Sequence, residues 1–474
     1  MTVPSDKTAI SFALDRSKPV PLGEQISNAI RSAILDERLA PGSRLPSWQD
    51  LAIQLGVSRG TVKGAYERLV DEALLVSAGA AGTRVAEAMP RRSKSSTVRS
   101  EAPYSGLLPA FYSTPLPFQM GVPAQDAFPA KVWARHRMRA VRADAMASVG
   151  QIDPRGHPEL RTQIASYLAI ARGLQCDPDQ IILTSGYRGG LAMVIRALRL
   201  QGRPVWIEDP GYPFTKKGLE LDGMKLVPVP VDDEGIDVDE GIRACHDAAL
   251  VVVTPGQQAP TGVALSPARR VALLNWAAKS GAWIIEDDYL SELQLSGRAM
   301  PALAGEVGGD RVIHIGSFGK TMSPALGLGF VVAPIGLIAR LWDVATYLQP
   351  APNTTTQLAL AGFIADGHYL RHLRHMKALY SERRDALRDR LGDTIAIEAM
   401  SGLAIKVKLP LHIDDVALVR SVVPQGIAPM PLSLWWSNPE QREPGLLLGV
   451  TNLRPKIIDK ACTTLEAAVQ SMKT

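Results

Sequence analysis

The sequence predicts a two-part chain. A small, mainly α N-terminal domain with a β-wing precedes a large α/β domain, which has a largely parallel central sheet and a smaller C-terminal α+β lobe. Three observations predict this. Residues 1–86 carry three short helical patterns, then a glycine turn between two short strand-like segments. Residues 87–114 lose apolar periodicity and turn rich in Ser, Pro and basic residues, as a linker does. From 115 to 474, apolar strands alternate with helical stretches, the pattern of a sheet with crossover helices. At ~150 residues per domain, 474 residues exceed one compact core.

Each element has a local reason. Leu22, Ile26, Ala29, Ile30 and Ala33 recur at helical spacing. PGSRLP at 41–46 is a turn, and Leu51, Ala52 and Leu55 give a second helix that stops at Gly56. Ser58 is an N-cap, followed by a third helix with Val62, Ala65, Tyr66 and Leu69 on one face. GAAGTRV at 79–85 closes the wing. In the large domain VWIE (205–208), LVVVTP (250–255), WIIED (283–287) and VIHIG (312–316) read as strands ending in polar or small residues. From about 368, helices and short strands return.

Composition excludes several classes. Hydrophobic residues make up 46% and charged residues 21%, as in an ordinary globular chain, so disorder over most of the length is excluded. A net charge of +5 is too diffuse to argue for nucleic acid, and residues 1–85 balance ten Lys/Arg against nine acids. Cys176, Cys245 and Cys462 have neither disulfide-framework nor metal spacing, which fits a reducing, cytoplasmic setting. Met1–Ile10 holds Pro4 and Asp6 with no apolar run, so no secretory signal is expected. The long uncharged run between Lys320 and Arg340 is broken by Pro and Gly and suits a buried strand and loop, not a membrane helix.

Two constellations carry chemistry. If the third helix buries its apolar face, Arg59, Thr61 and Lys63 remain on the other side, and its N-terminal end can enter a DNA major groove with Ser58 near phosphate. A small interaction domain with a solvated charged face fits the same spacing. The linker's Arg91, Arg92 and Lys94 can add phosphate contacts. In the large domain, Lys320 follows a strand in HIGSFGKTMSP, where a lysine of lowered pKa can form a Schiff base. Asp287 in IIEDDY can hold a pyridine nitrogen protonated, and Tyr289 can reach a phenolate oxygen. Ser185 and Gly186 open a helix as a phosphate-binding turn does, Ser317 offers a hydroxyl, and Tyr212 after EDPG can stack on a ring. Taken singly, these are also a surface lysine, a strand end and an N-cap. His368, His372 and His375 share one helix face, but Arg371, Arg374 and Lys377 crowd it and no metal is expected.

Residues 20–86 resemble the GntR-type winged helix through the PG-x-RLPS turn, the LA-x-x-LGVSR-x-TV-x-x-AY-x-x-L run and the GTRVA wing. The resemblance adds Arg44 and Thr83 to Ser58, Arg59, Thr61 and Lys63 as DNA contacts. Gln49 stands where that family usually has arginine. From about 115 to 470 the chain resembles fold-type I aminotransferases dependent on pyridoxal 5'-phosphate, through DPRGHPELR, ILTSGYRGGL, WIEDPGYP, QQAPTG, IIEDDY and HIGSFGKTMSP. The two together resemble the MocR (GabR-like) subfamily of GntR regulators. That resemblance implies a PLP-binding regulator of a double-stranded DNA operator, homodimeric, responding to a small amine or vitamer. Lys320 would carry the cofactor, with Asp287 on its ring nitrogen and Tyr289 on its phenolate.

Departures stand beside the match. Gly319 replaces the serine before the lysine, Gly327 replaces a phosphate-binding arginine, and Gln151 stands near an expected aromatic. Gln257–Gln258 replaces His-Gln, and Leu446–Leu448 lacks the arginine that would hold a substrate carboxylate. Arg188 stands where a neutral residue is usual and can restore the missing charge. Two further readings stay open: a working aminotransferase with a winged-helix appendage, and a regulator that no longer uses PLP.

Overall fold

The computed structural model describes residues 14–17, 20–36, 38–77, 82–87, 115–146, 153–295, 299–392, 395–438, 440 and 442–472, and the side chains of all these except 400 and 401. The chain divides into two compact units, 1–100 and 101–474, each with its own core. Most of the expected linker, with Arg91, Arg92 and Lys94, lies outside the described residues, as does Gln151.

The first unit is three helices and a wing. They are α1 (Leu22–Leu35), α2 (Trp48–Leu55), α3 (Arg59–Asp71) and the antiparallel pair β1 (Leu75–Ser77) and β2 (Thr83–Val85). Ser47 and Ser58 cap α2 and α3, each Oγ accepting from a backbone N–H three residues on at 3.1 Å. Gly56 ends α2 in the left-handed region (φ +60), which a glycine enters without steric cost. Ile26, Ile30, Ala33, Leu51, Val62, Ala65 and Leu69 are all buried in one core. Each large one contributes about 1.5–3 kcal/mol of apolar burial. The Tyr66 hydroxyl donates to the Pro46 carbonyl at 3.0 Å and ties α3 to the 41–46 turn. Leu45 N donates to Thr83 O at 2.9 Å, so that turn runs along the wing.

The second unit is built on an eight-stranded sheet. Its strands are β3 (Ile181–Thr184), β4 (Pro204–Asp209), β5 (Lys225–Asp232), β6 (Gly235–Ile236), β7 (Leu250–Val253), β8 (Trp283–Asp288), β9 (Val312–Ser317) and β10 (Gly329–Val332). The order is β3-β10-β9-β8-β7-β4-β5-β6; β5, β4, β7, β8 and β9 run parallel, and β10 lies antiparallel between β9 and β3. Helices cover both faces, which is why the central strands are apolar almost without alternation. β4, β7 and β8 therefore open on one edge, where Glu208, Thr254 and Asp287 collect.

The C-terminal lobe pairs β11 (Ile397–Ser401), β12 (Ala404–Lys408), β13 (Met430–Pro431) and β14 (Gly445–Gly449) in an antiparallel sheet of order β11-β12-β14-β13. Alternation along β14 puts Leu446 and Leu448 into the main core, and Leu447 onto the other face with Ala404, Leu432 and Trp435. That second face borders the site.

Candidate functional site

Strand β8 sorts its acids by alternation. Glu286 accepts from Leu303 N at 2.8 Å and Ala304 N at 3.1 Å, and its other contact is His314 Nδ1 at 3.0 Å. Asp288 accepts from Arg172 Nε at 2.6 Å. Burial pulls His314 down, but Glu286 and Asp288 overcome it and hold its pKa above the ordinary value. This buried ionic cluster anchors β8 to β9 and leaves Asp287 facing the site.

Lys320 sits in the turn after β9. Ser317 Oγ accepts from Gly319 N at 3.2 Å, and Phe318 N donates to Leu328 O at 3.1 Å, which fixes the turn. The Lys320 ammonium lies 4.9 Å from the Tyr212 ring centroid and 4.3 Å from that of Tyr289, in cation–π range of both. Burial lowers its pKa while the charge of Asp287 opposes the fall. Burial pushes Asp287 up to about 7, Lys320 pulls it back, and Asp288 and Glu208 push it further up. The Tyr187 hydroxyl lies 2.9 Å from Thr215 Oγ1 and is close enough to Asp287 to oppose the rise in its pKa. Tyr212 is raised to about 12, first by burial and then by Asp287, with Arg188 acting in the opposite sense; Tyr289 is raised further by burial. Lys320, Asp287, Tyr212 and Tyr289 thus converge as expected from their motifs.

Ser185 and Gly186 precede the helix Tyr187–Leu198, whose N-terminus has no side-chain cap, so its first N–H groups are free of side-chain acceptors. Gly186 has φ +87, and the backbone of Gly329 presses so close that a Cβ there would stand 2.8 Å from Gly186 Cα. Ser317 adjoins the same turn, its Oγ 3.9 Å from where a Gly186 Cβ would be. Arg188 is exposed on the first turn of this helix, and its charge reaches Tyr212. Gly327 is exposed in a left-handed turn (φ +55) and supplies no cation.

Sequence reasoning missed the polar surround. Glu208 accepts from Thr254 N at 3.0 Å, Thr254 Oγ1 at 2.7 Å and Gln258 Nε2 at 3.3 Å; burial raises it to about 7. Lys216 donates to Asp209 at 2.8 Å, to the Trp435 carbonyl at 2.5 Å and to Ser437 Oγ at 2.8 Å, clasping the C-terminal lobe to β4. The acidic pair in WIEDPG was a usable signal; Tyr187 and Lys216 carried none, because Thr215 for the one and Trp435 and Ser437 for the other are distant in sequence. Gln257 is buried with its Oε1 unpaired.

In the first unit, Arg59 and Lys63 are exposed on α3 and Thr61 is half-buried beside its cap Ser58. Lys63 pairs with Glu67 at 3.6 Å, an exposed contact of little energetic weight. Arg44 is exposed and lies over Gly82, where a Cβ would come within 3.1 Å of its Nε; Thr83 starts the neighbouring strand. Among the described residues, the row His368, His372 and His375 does not converge. His372 turns inward to Thr321 O at 3.0 Å, and His368 meets His136 and Asp366 instead.

The large-unit site suits a phosphorylated pyridine aldehyde. A lysine of lowered pKa lies between two aromatic rings, a carboxylate faces it, and an uncapped helix N-terminus opens beside Ser317. A winged helix ahead of such a fold defines a class: a DNA-binding regulator with an aminotransferase-like domain. Residues 22–85 match the family of bacterial regulatory proteins of GntR type, and residues 116–409 match aminotransferase class I and II. The chain is 34% identical to a probable rhizopine catabolism regulatory protein, MocR, of Rhizobium meliloti, over 98% of this chain and 97% of that one. It is 31% identical to the pyridoxine biosynthesis transcriptional regulator PdxR of Corynebacterium glutamicum, over 90% and 92%. An archaeal alanine:glyoxylate aminotransferase shares the fold at TM-score 0.72 and 22% identity, over 78% of this chain and 96% of that one. The chain belongs to the MocR type of GntR transcriptional regulators. Among the described residues, no helix is long and apolar enough to cross a membrane.

Proposed function

We propose that this regulator holds PLP on Lys320 and reports a small amine or vitamer to an operator, with 1–86 as DNA reader, 87–114 as linker and 115–474 as sensor. The observation that carries the reading is the Lys320 ammonium between Tyr212 and Tyr289, with Asp287 facing it. Bound PLP supplies an aldehyde that reacts with primary amines and a ring that accepts electrons. Lys320, with its pKa lowered by burial, offers its unprotonated amine more readily than a surface lysine. Asp287 accepts from the ring nitrogen while Tyr187 holds the carboxylate in place. Tyr212 packs a ring face, and the Tyr289 hydroxyl serves the phenolate. Gly186, Ser185 and Ser317 receive the phosphate, and Arg188 supplies the cation that Gly327 lacks.

On the DNA side, Arg59, Thr61 and Lys63 on α3 read or clamp the groove, Ser58 and the helix dipole meet phosphate, and Arg44 and Thr83 contact the backbone from the wing. A cytoplasmic homodimer would present two readers to two half-sites, doubling these modest charges. Because Lys320, Asp287 and Tyr289 retain the reactive arrangement, transaminase turnover is the competing reading.

The test is a visible spectrum of the purified full-length chain with PLP. A band present in the wild type and lost in Lys320→Ala supports the cofactor reading; no band, or one surviving in Lys320→Ala, refutes it. Conversion of PLP to pyridoxamine phosphate by any of a panel of amino acids would favour the enzyme.

A further inference from the structure

Beyond Lys320, the Tyr212 ring continues into a wall from the C-terminal lobe. Its centroid lies 5.4 Å from Phe214 and 5.8 Å from Trp435. Ala404, Leu432 and Leu447 back the wall, and Met120, Ala259 and Met430 form its half-buried rim. Apart from the Tyr212 hydroxyl and the Trp435 indole N–H, these side chains are apolar.

Charge on this side is arranged against an anion. The nearby cation, Lys216, spends its three N–H bonds on Asp209, the Trp435 carbonyl and Ser437. The pocket beside Tyr212 also presents two acids, Glu208 and Asp287. A carboxylate seated against this wall would lose its water and, among the described residues that line the wall and the pocket, find no cation that is not already paired or, like Lys320, committed to the cofactor. Within the wall, the buried Trp435 Nε1–H has no acceptor. A neutral oxygen on a ligand can satisfy it; an unpaired anion gains too little from one N–H.

We infer that the effector is a primary amine with an apolar or aromatic body, carrying at most a neutral acceptor and no carboxylate, and that Trp435, Leu447 and Met430 set this preference. The inference rests on Lys320 being the cofactor lysine.

The test uses full-length protein loaded with PLP and two probes that differ only in the carboxylate, 2-phenylethylamine and L-phenylalanine. Binding is read by calorimetry and by the change in the visible band. The amine is expected to bind at least tenfold more tightly. Leu447→Arg puts a guanidinium on the β14 face towards Tyr212 and is expected to shrink that ratio at least tenfold. Met430→Arg does the same from the rim, where a long side chain can stay partly solvated, so misfolding of the first variant leaves a second arm. Equal or tighter binding of phenylalanine by the wild type, or no response to either probe while the band is present, overturns the inference. Absence of the band overturns the Lys320 reading instead.

Discussion

Asp287→Asn separates the energetic cost of the buried acid from its use. Burial holds Asp287 at about 7, against 3.8 for the free carboxyl. A folded-state pKa above the unfolded one means that the folded chain binds this proton more tightly. The group's contribution to stability is therefore complete below pH 3.8 and lost as the pH rises through about 7. At about 1.4 kcal/mol per pH unit, the ionised acid costs the cofactor-free fold on the order of 4 kcal/mol at pH 8. Asn carries no charge, keeps an oxygen for the Tyr187 hydroxyl and avoids that cost. Urea unfolding of cofactor-free protein, followed by tryptophan fluorescence, is expected to give the Asn variant a higher midpoint at pH 8. The advantage should shrink on acidification and vanish below pH 3.8, where Asp287 is protonated in both the folded and the unfolded chain. PLP affinity should fall in the same variant, because the ring nitrogen loses its anion. An Asn variant no more stable than wild type at pH 8, or an advantage that does not shrink on acidification, would show that Asp287 is not a destabilising buried anion.

Ser58→Ala removes the oxygen that accepts from Thr61 N at 3.1 Å. It should cost the winged helix about 1 kcal/mol in denaturant unfolding, and Ser58→Thr should recover most of it. Gly329→Ala drives a methyl to 2.8 Å from Gly186 Cα, a backbone neighbour that cannot swing away. The phosphate turn must shift, so the PLP concentration for half-saturation in equilibrium dialysis should rise at least tenfold, whereas an unchanged value would mean that Gly186 does not line the phosphate site.

Local signals made the frame legible. Ser58 was readable as a cap because its partner, Thr61, is three residues away. β4, β7, β8 and β9 were readable as apolar runs because strands covered on both faces need no polar side. Asp287, Tyr289 and Lys320 came from motifs whose spacing the chemistry constrains. What stayed hidden depends on long-range packing. Alternation on β8 gives Glu286 and Asp288 to an ionic cluster, but their partners His314 and Arg172 lie in other elements. Lys216 is one of two adjacent lysines in KKG; only the fold shows that it is clasped to Trp435 and Ser437, while Lys217 is exposed. The triplet Leu446–Leu448 showed only that an arginine was missing; β14 pairing shows that Leu447 alone faces the site.

The winged helix and the proposed amine site belong to separate units, so amine binding would alter DNA affinity only if two states of the chain bind the amine unequally. The Lys216 clasp is where such a difference can arise. Tyr212 immediately precedes the helix Pro213–Leu221 that carries Lys216, and Trp435 supplies one of that lysine's acceptors. An amine seated against Tyr212 and Trp435 bears on both ends of the clasp, so any change in their spacing strains or relaxes three hydrogen bonds together. Couplings between sites typically amount to about 1–3 kcal/mol, or roughly 5–150-fold in affinity. Because linkage is reciprocal, operator DNA must change the amine's affinity by the same factor that the amine changes the operator's. Amine titrations with and without DNA therefore measure the coupling directly, and Lys216→Ala should reduce it even where both ligands still bind.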